Sequence, residues 1–490
     1  MTDPARRAPY RVTFAVLATG VMAYALLQSL VVPVLPTIQH ELHTTQNNVT
    51  WVLTGYLLSA SVCTPIMGRL GDSWGKVRML VVALVALAVG CVLSALAGSI
   101  GVMIIGRVIQ GAGGGVLPLS FGIIRDEFPE ERVSGAIGVL AALTAAGSGL
   151  GIVLAGPLVA VLSPHWLFWL PGAVLVVAAL TTRFVVPESG IRMAGRVNWV
   201  AAALLSGWLV ALLLPISEGP IWGWHSARVV RLIGLAVLLA VAWVLVETRS
   251  RHPLIDMQMM RIPVVWTSNL VALLFGAGMY ATMAFLPQFM QTSPSAGYGF
   301  GASITESGLI LLPSCIVMFG FGISSGRLTA RFGSKQVLLA GAIASIVSFV
   351  ILLGAREHPW EVVVAQAISG AGLGLAFAAM SSLVVEGVPI DQTGVASGMN
   401  ANIRTIGGSI GAAAVSSIVA ASAHRGGLPT NSGYGHAFLL LTITTAAAAG
   451  AALLVPKRRR AVGVIEFARA KPHAELGLVA AGTLVGDDPE

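Results

Sequence analysis

Fourteen apolar runs follow one another between Val12 and Val455, the first Val12 to Val34 and the last Ala437 to Val455. Each is about the 20 residues that a helix needs to cross a hydrocarbon core of about 30 Å. In lipid every backbone polar group must be satisfied within a helix or a closed barrel. Barrel strands would be about ten residues of alternating polarity, whereas these runs are long and continuous. The sequence therefore predicts an all-α polytopic membrane protein with 14 transmembrane helices. Only 10% of the chain is charged, against roughly 25% in a soluble domain. The first run follows Arg6, Arg7 and Arg11 but exceeds a secretory h-region of about 7–15 residues, so it is read as a retained span. Cys63, Cys91 and Cys315 fall within predicted spans, which suits small apolar packing residues and not a disulfide framework.

A net charge of +8 invites a nucleic-acid reading, but in a membrane protein the placement of Lys and Arg carries more than their sum. Of the 29 Lys and Arg, Arg228, Arg231, Arg356 and Arg425 fall on one side, Arg107 and Arg404 lie within spans, and the remaining 23 share the other side. The positive-inside rule then places both termini in the cytoplasm of a cell membrane, plasma or bacterial inner, with "KRRR" at 457–460 holding the last span. The expected partners are the bilayer and a small amphiphilic substrate, with no nucleic acid and a monomeric chain.

Two segments repeat. "GRLGDSWGK" at 68–76 matches "GRLTARFGS" at 326–334 at an offset of 258, and "GRVIQGAGGG" at 106–115 matches "AQAISGAGLG" at 365–374 at an offset of 259. Near-equal offsets mean that the spans between the segments keep their order, as duplication of a multi-span unit requires. The expected organisation is a six-helix bundle at 1–190, two inserted spans with a connector at 191–262, a second bundle at 263–460 and a poorly ordered cytoplasmic tail at 461–490. Both copies of the first segment fall on the basic side, so the halves are parallel repeats around a central cavity.

These residues resemble the major facilitator superfamily, and within it the fourteen-span drug:proton antiporters. "GRLGDSWGKVR" resembles the superfamily signature between spans two and three, "GRVIQGAGGGVLP" the Arg-containing motif of span four, and "AGP" at 155–157 the core of the antiporter motif. "RHPLIDMQMMR" at 251–261 is similar to a segment before span nine of the fourteen-span group. Two departures stand out. The resemblance places an acid and an Asn in span one where this chain has Leu27 and Val32, and a glycine pair where it has Ala160 and Val161.

The candidate gating segment is Gly68, Arg69, Gly71, Asp72, Gly75, Lys76 and Arg78. Its cations fit positive-inside anchoring, and its glycines fit a sharp turn between helices. The resemblance implies that Asp72 approaches the start of span thirteen near Gly394, which would favour a carboxylate. The second copy has Ala330 in its place. Arg107 lies inside span four, where an unpaired cation is costly; Gln110, three residues on, shares its helix face, and Gly111 follows. Arg404, in "NANIRTIGGSIG", either lines the cavity or pairs with a carbonyl. Glu306 is the nearest candidate for proton coupling, though its first reading is a cap in the first turn of span ten after Ser303 or Thr305. Gly151, Gly156 and Pro157 carry the antiporter motif, where a proline is expected to bend span five.

No acid is placed deep in a span, so a cavity with two arginines should not favour strong cations. Met279, Tyr280, Met283, Phe285, Phe377 and Met380 suit promiscuous apolar binding, or face lipid. The expected function is secondary active efflux of amphiphilic drugs or antibiotics by proton antiport, with no cofactor beyond the proton and no metal or nucleotide motif. Two alternatives stand beside it: a dedicated importer or exporter of one metabolite, and a non-transporting sensor or enzyme.

Overall fold

The computed structural model describes residues 9–44, 46–188, 198–250, 253–389, 392–422 and 429–456. The basic run at 457–460 and the tail at 461–490 lie outside the described residues. Fourteen helices are long and apolar enough to cross a membrane: α1 Tyr10–Val34, α2 Trp51–Trp74, α3 Lys76–Ala95, α4 Ile100–Glu127, α5 Glu130–Val159, α6 Trp166–Val185, α7 Trp199–Gly219, α8 Ala227–Arg249, α9 Pro263–Gln291, α10 Thr305–Phe332, α11 Ser334–Gly354, α12 Pro359–Gly387, α13 Thr393–Ala421 and α14 Asn431–Leu454.

The duplication is visible in the packing. In the first bundle α1 packs on α5 and α6, α3 on α4 and α6, and α2 on α4. Adding eight to every label gives pairs found in the second bundle: α9 on α13 and α14, α11 on α12 and α14, α10 on α12. The contacts between bundles obey the same exchange, with α2 on α13 answering α5 on α10, and α4 on α13 answering α5 on α12. Both repeated segments also turn alike, because Gly75 and Gly333 take φ of 120° and 88° directly before α3 and α11. A side chain would be strained in either place.

The inserted pair breaks this symmetry. Helix α7 packs on α8 and also on α2 and α13, covering one interbundle seam, while only 17% of the most apolar stretch of α8 is buried. On the face opposite the basic one, Ser217 Oγ lies 3.3 Å from Thr54 Oγ1 of α2, and Trp224 Nε1 donates to Ser417 Oγ of α13 at 2.9 Å. At the basic end Glu247 accepts from Trp243 Nε1 and from the backbone of Leu254 and Ile255, which pins the chain leaving α8.

Helix pairs approach closely where they carry small residues. The α9–α13 contact is one such case, since a Cβ on Gly407 or Gly411 would collide with the carbonyls of Leu273 or Ala277. Gly407→Leu is expected to cost about 1–3 kcal/mol through overpacking and to lower the unfolding temperature of the detergent-purified protein. Gly320→Leu, with nothing within 4 Å of the new Cβ, should leave it unchanged; equal melting of the two variants would refute the assignment.

Candidate functional site

At the basic face the last turns of α2 meet the first turn of α13. A Cβ on Gly68 would lie 2.5 Å from Gly394 O, so glycine lets the two backbones touch. Asp72, 1% exposed, accepts from the backbone N–H groups of Gly394 at 3.3 Å and Val395 at 2.9 Å. Those groups belong to the helix turn that lacks internal acceptors, and the helix dipole favours the negative charge there. Ala330, the counterpart of Asp72, is exposed; the two bundles are joined by one latch and not by a symmetric pair.

The charges behind this contact are buried together. Lys76, 0% exposed, places Nζ 2.7 Å from Asp126 Oδ2 and 3.9 Å from Asp72 Oδ1. Arg69 is 2% exposed beside them. Lys76 thus stands between two acids, the partners that a charge in a low-dielectric site requires. Glu188 accepts from the N–H groups of Val77 and Arg78 at 3.1 and 3.0 Å, capping α3. Arg125 of α4 reaches the other bundle, donating to Thr393 Oγ1 and to the Val388 carbonyl, each at 2.7 Å.

Two expectations are corrected here. Arg69 and Lys76 do not anchor the chain at the lipid surface; both are buried, Lys76 between Asp72 and Asp126. Only Arg78, with its side chain 67% exposed against Glu188, remains outward. Gly68 and Gly71 also do not make a turn: α2 runs to Trp74, their missing Cβ atoms admit Gly394 and Leu119, and Gly75 turns the chain alone. Asp126, Glu188 and Arg125 were missed, since nothing in their local sequence marks them as partners of a segment about 50 to 270 residues away.

The intramembrane arginines sit in different settings. Arg107 and Gln110 are both 0% exposed, inside the first bundle. The Arg107 guanidinium lies 4.5 Å from the centre of the Tyr56 ring, and it donates to Val52 O at 3.1 Å and Gln110 Oε1 at 2.7 Å. Gly111 gives this group its closeness, because a Cβ there would strike Ser59 of α2. Arg404 stands 4.5 Å over the Phe377 ring and lines a crevice of about 10 Å³ between the bundles, with Pro118 and Phe121 of α4 opposite. The cavity reading of Arg404 is the one this geometry supports.

Glu306 leaves the list of coupling candidates. It is exposed and forms a capping box with Ser303, accepting from Ser303 N at 2.7 Å while its own N–H donates to Ser303 Oγ at 3.2 Å. In α5 the helix runs unbroken from Glu130 to Val161 through Pro157; Gly151 admits Leu26 and Ser29 of α1, and Gly156 faces Thr305 of α10. Leu27 is buried at 1% exposure and Val32 is 41% exposed. Glu218, outside the predicted span, is buried at 1% at the end of α7.

Removing one partner of a buried ion pair strands the other, at about 3–5 kcal/mol, whereas replacing both by apolar groups is often neutral. Asp126→Asn should therefore lower the unfolding temperature of the purified protein more than the double variant Asp126→Leu, Lys76→Met. A double variant less stable than the single one would refute this account of the cluster.

Comparison with known proteins agrees with this architecture. The family model described as Major Facilitator Superfamily matches residues 17–412 and again 269–483. The tetracenomycin C resistance and export protein of Streptomyces glaucescens is 27% identical over 422 residues, covering 83% of this chain and 76% of that protein. The uridine/deoxyuridine transporter of Lactococcus lactis is 26% identical over 406 residues, covering 80% and 83%. Among solved structures, the human organic anion transporter MFSD10 superposes with a TM-score of 0.65 at 16% identity, over 92% of this chain and 100% of that one. With its duplicated six-helix bundles, inserted pair and matching family model, the chain belongs to the major facilitator superfamily and is a multi-pass membrane transporter, not an enzyme.

Proposed function

We propose that this transporter exports small uncharged or anionic amphiphiles, antibiotics among them, in exchange for protons, working as a monomer with its basic face and both termini in the cytoplasm. The observation that carries the reading is the one-sided latch. Asp72 and Arg125 hold the basic ends of the bundles together, so their release opens a path on that side, as alternating access requires. The substrate class follows from charge. Arg107 and Arg404 supply the cations near the bundle centres, and Asp72 and Asp126 of the latch already face Lys76. Such an interior does not reward a cationic substrate. The similarity to an antibiotic export protein supports efflux, and the similarity to a nucleoside carrier keeps dedicated transport of one metabolite as the second reading.

Each charge-assisted bond accepted by Asp72 is worth about 1.5–3 kcal/mol, and about 1.4 kcal/mol is tenfold, so the loss of even one shifts a two-state equilibrium roughly tenfold or more. In proteoliposomes with an imposed pH gradient, tetracenomycin C should move against the proton flow and stop when a protonophore is added. Asp72→Asn should lower the turnover at least tenfold, and Ala330→Asp in the same chain should not restore it. Movement of uridine in place of the antibiotic would favour the second reading, and full turnover of the Asn variant would remove the latch from the mechanism.

Arg107→Lys keeps the charge but loses the planar group that stacks on Tyr56 and donates to Val52 O. Its flux should fall in the same assay; undiminished flux would reduce Arg107 to a buried counter-charge.

A further inference from the structure

The second bundle contains a cavity of about 50 Å³ in which Gln366 of α12, 5% exposed, has its amide Nε2 buried without a hydrogen-bond partner. It reaches Ser345 of α11 and Thr445 of α14, helices that stand away from both interbundle seams, and its lining from the first bundle is Gly149 and Ile152 of α5. It is therefore distinct from the crevice under Arg404, whose lining residues it does not share.

The duplication explains why room exists there. Counted by the repeat offsets, Ser314 stands where the first bundle has Tyr56, Gln366 where it has Arg107, and Ser369 where it has Gln110. In the first bundle those three large side chains fill the interior, being 2%, 0% and 0% exposed, with Arg107 donating to Gln110 and stacked on Tyr56. Their three smaller counterparts all line the cavity. The polar atoms there are not interchangeable. Thr282 and Ser345 spend their hydroxyl protons on the carbonyls of Gly278 and Gly341 in their own helices, at 2.7 and 3.1 Å. The Gln366 amide keeps a free donor, and a buried donor without an acceptor is unfavourable.

The geometry points to an anchoring subsite for an uncharged hydrogen-bond acceptor, a carbonyl, amide or nitro group of an amphiphilic substrate, donated to by Gln366 while Met279, Met283 and Phe275 receive the adjoining apolar body. A space of about 50 Å³ is several times the roughly 10–15 Å³ that one water needs, room for a substituent of a substrate. This inference rests on the export reading for its substrate class. It goes further in assigning selection of neutral acceptors to one bundle and one amide.

The test uses the full chain, purified, with two probes in equilibrium dialysis: chloramphenicol, uncharged with amide and nitro acceptors, and ethidium, a permanent cation. Gln366→Leu should weaken chloramphenicol binding at least tenfold. Gln366→Arg, which refills the space as Arg107 fills its own, should abolish it, while ethidium affinity stays within twofold in both variants. Alkylation of Cys315, a lining residue, by N-ethylmaleimide supplies a readout that does not depend on transport. In a Cys63→Ser, Cys91→Ser chain, chloramphenicol should slow that alkylation, and should not do so once Gln366→Arg is added. Chloramphenicol affinity equal in all three proteins, no chloramphenicol binding, or an alkylation rate indifferent to the probe would each overturn the subsite. Binding that depends on Gln366 without any flux under a pH gradient would uphold the subsite and remove the export reading alone.

Discussion

A carboxylate removed from water has to be met by donors and counter-charges, and Asp72 is met by both. Two backbone N–H groups at the head of α13 supply the donors, and Lys76 and Arg69 supply the charge. Much of the basic face is organised by that requirement. Lys76 is pulled inside, Asp126 answers its surplus, Gly122 leaves room for its stem, and Gly68 lets α2 come near enough for Asp72 to reach. Because the donors belong to the other bundle, the same electrostatics that makes the cluster tolerable also fixes how the two halves sit. Parting them bares a helix end and a charge at once.

The number of helices, their order and the duplication were legible in the sequence because each rests on a signal longer than one contact. A run of apolar residues reports its own length, and two motifs at nearly one offset report the repeat. Asp72 meeting Gly394 was legible only through the resemblance of its motif. What could not be read is how far a charged residue lies from lipid or water. Lys76 and Arg78 look alike in the sequence, two residues apart, yet one is enclosed and the other mostly exposed. The difference comes from Asp126 and Glu188, which join them only after α4 and α6 have packed. Glu306 shows the same limit from the other side: an acid at the start of a span satisfies its own helix cap and never reaches the interior.

Duplication gave two copies of one packing plan, and the copies have since been filled differently. The first bundle is closed around Tyr56, Arg107 and Gln110, a packed group with almost no exposed surface. The second carries shorter polar residues at the corresponding places and leaves space and a free donor. Helix pairing is retained between the halves while side-chain volume is not, so a shared scaffold supports a rigid interior in one half and a receptive one in the other.

The inserted hairpin α7–α8 touches both sides of one seam, through Thr54 and Ser217 and through Trp224 and Ser417, while among the described residues the α5–α10 seam has no such cover. Two bundles free on both flanks would separate evenly about a central axis. With one flank strapped and the other bare, the two seams are no longer equivalent, and the latch of Asp72 lies on the strapped one. Lipid molecules on the two flanks then meet different walls, one covered by a helical hairpin and one not.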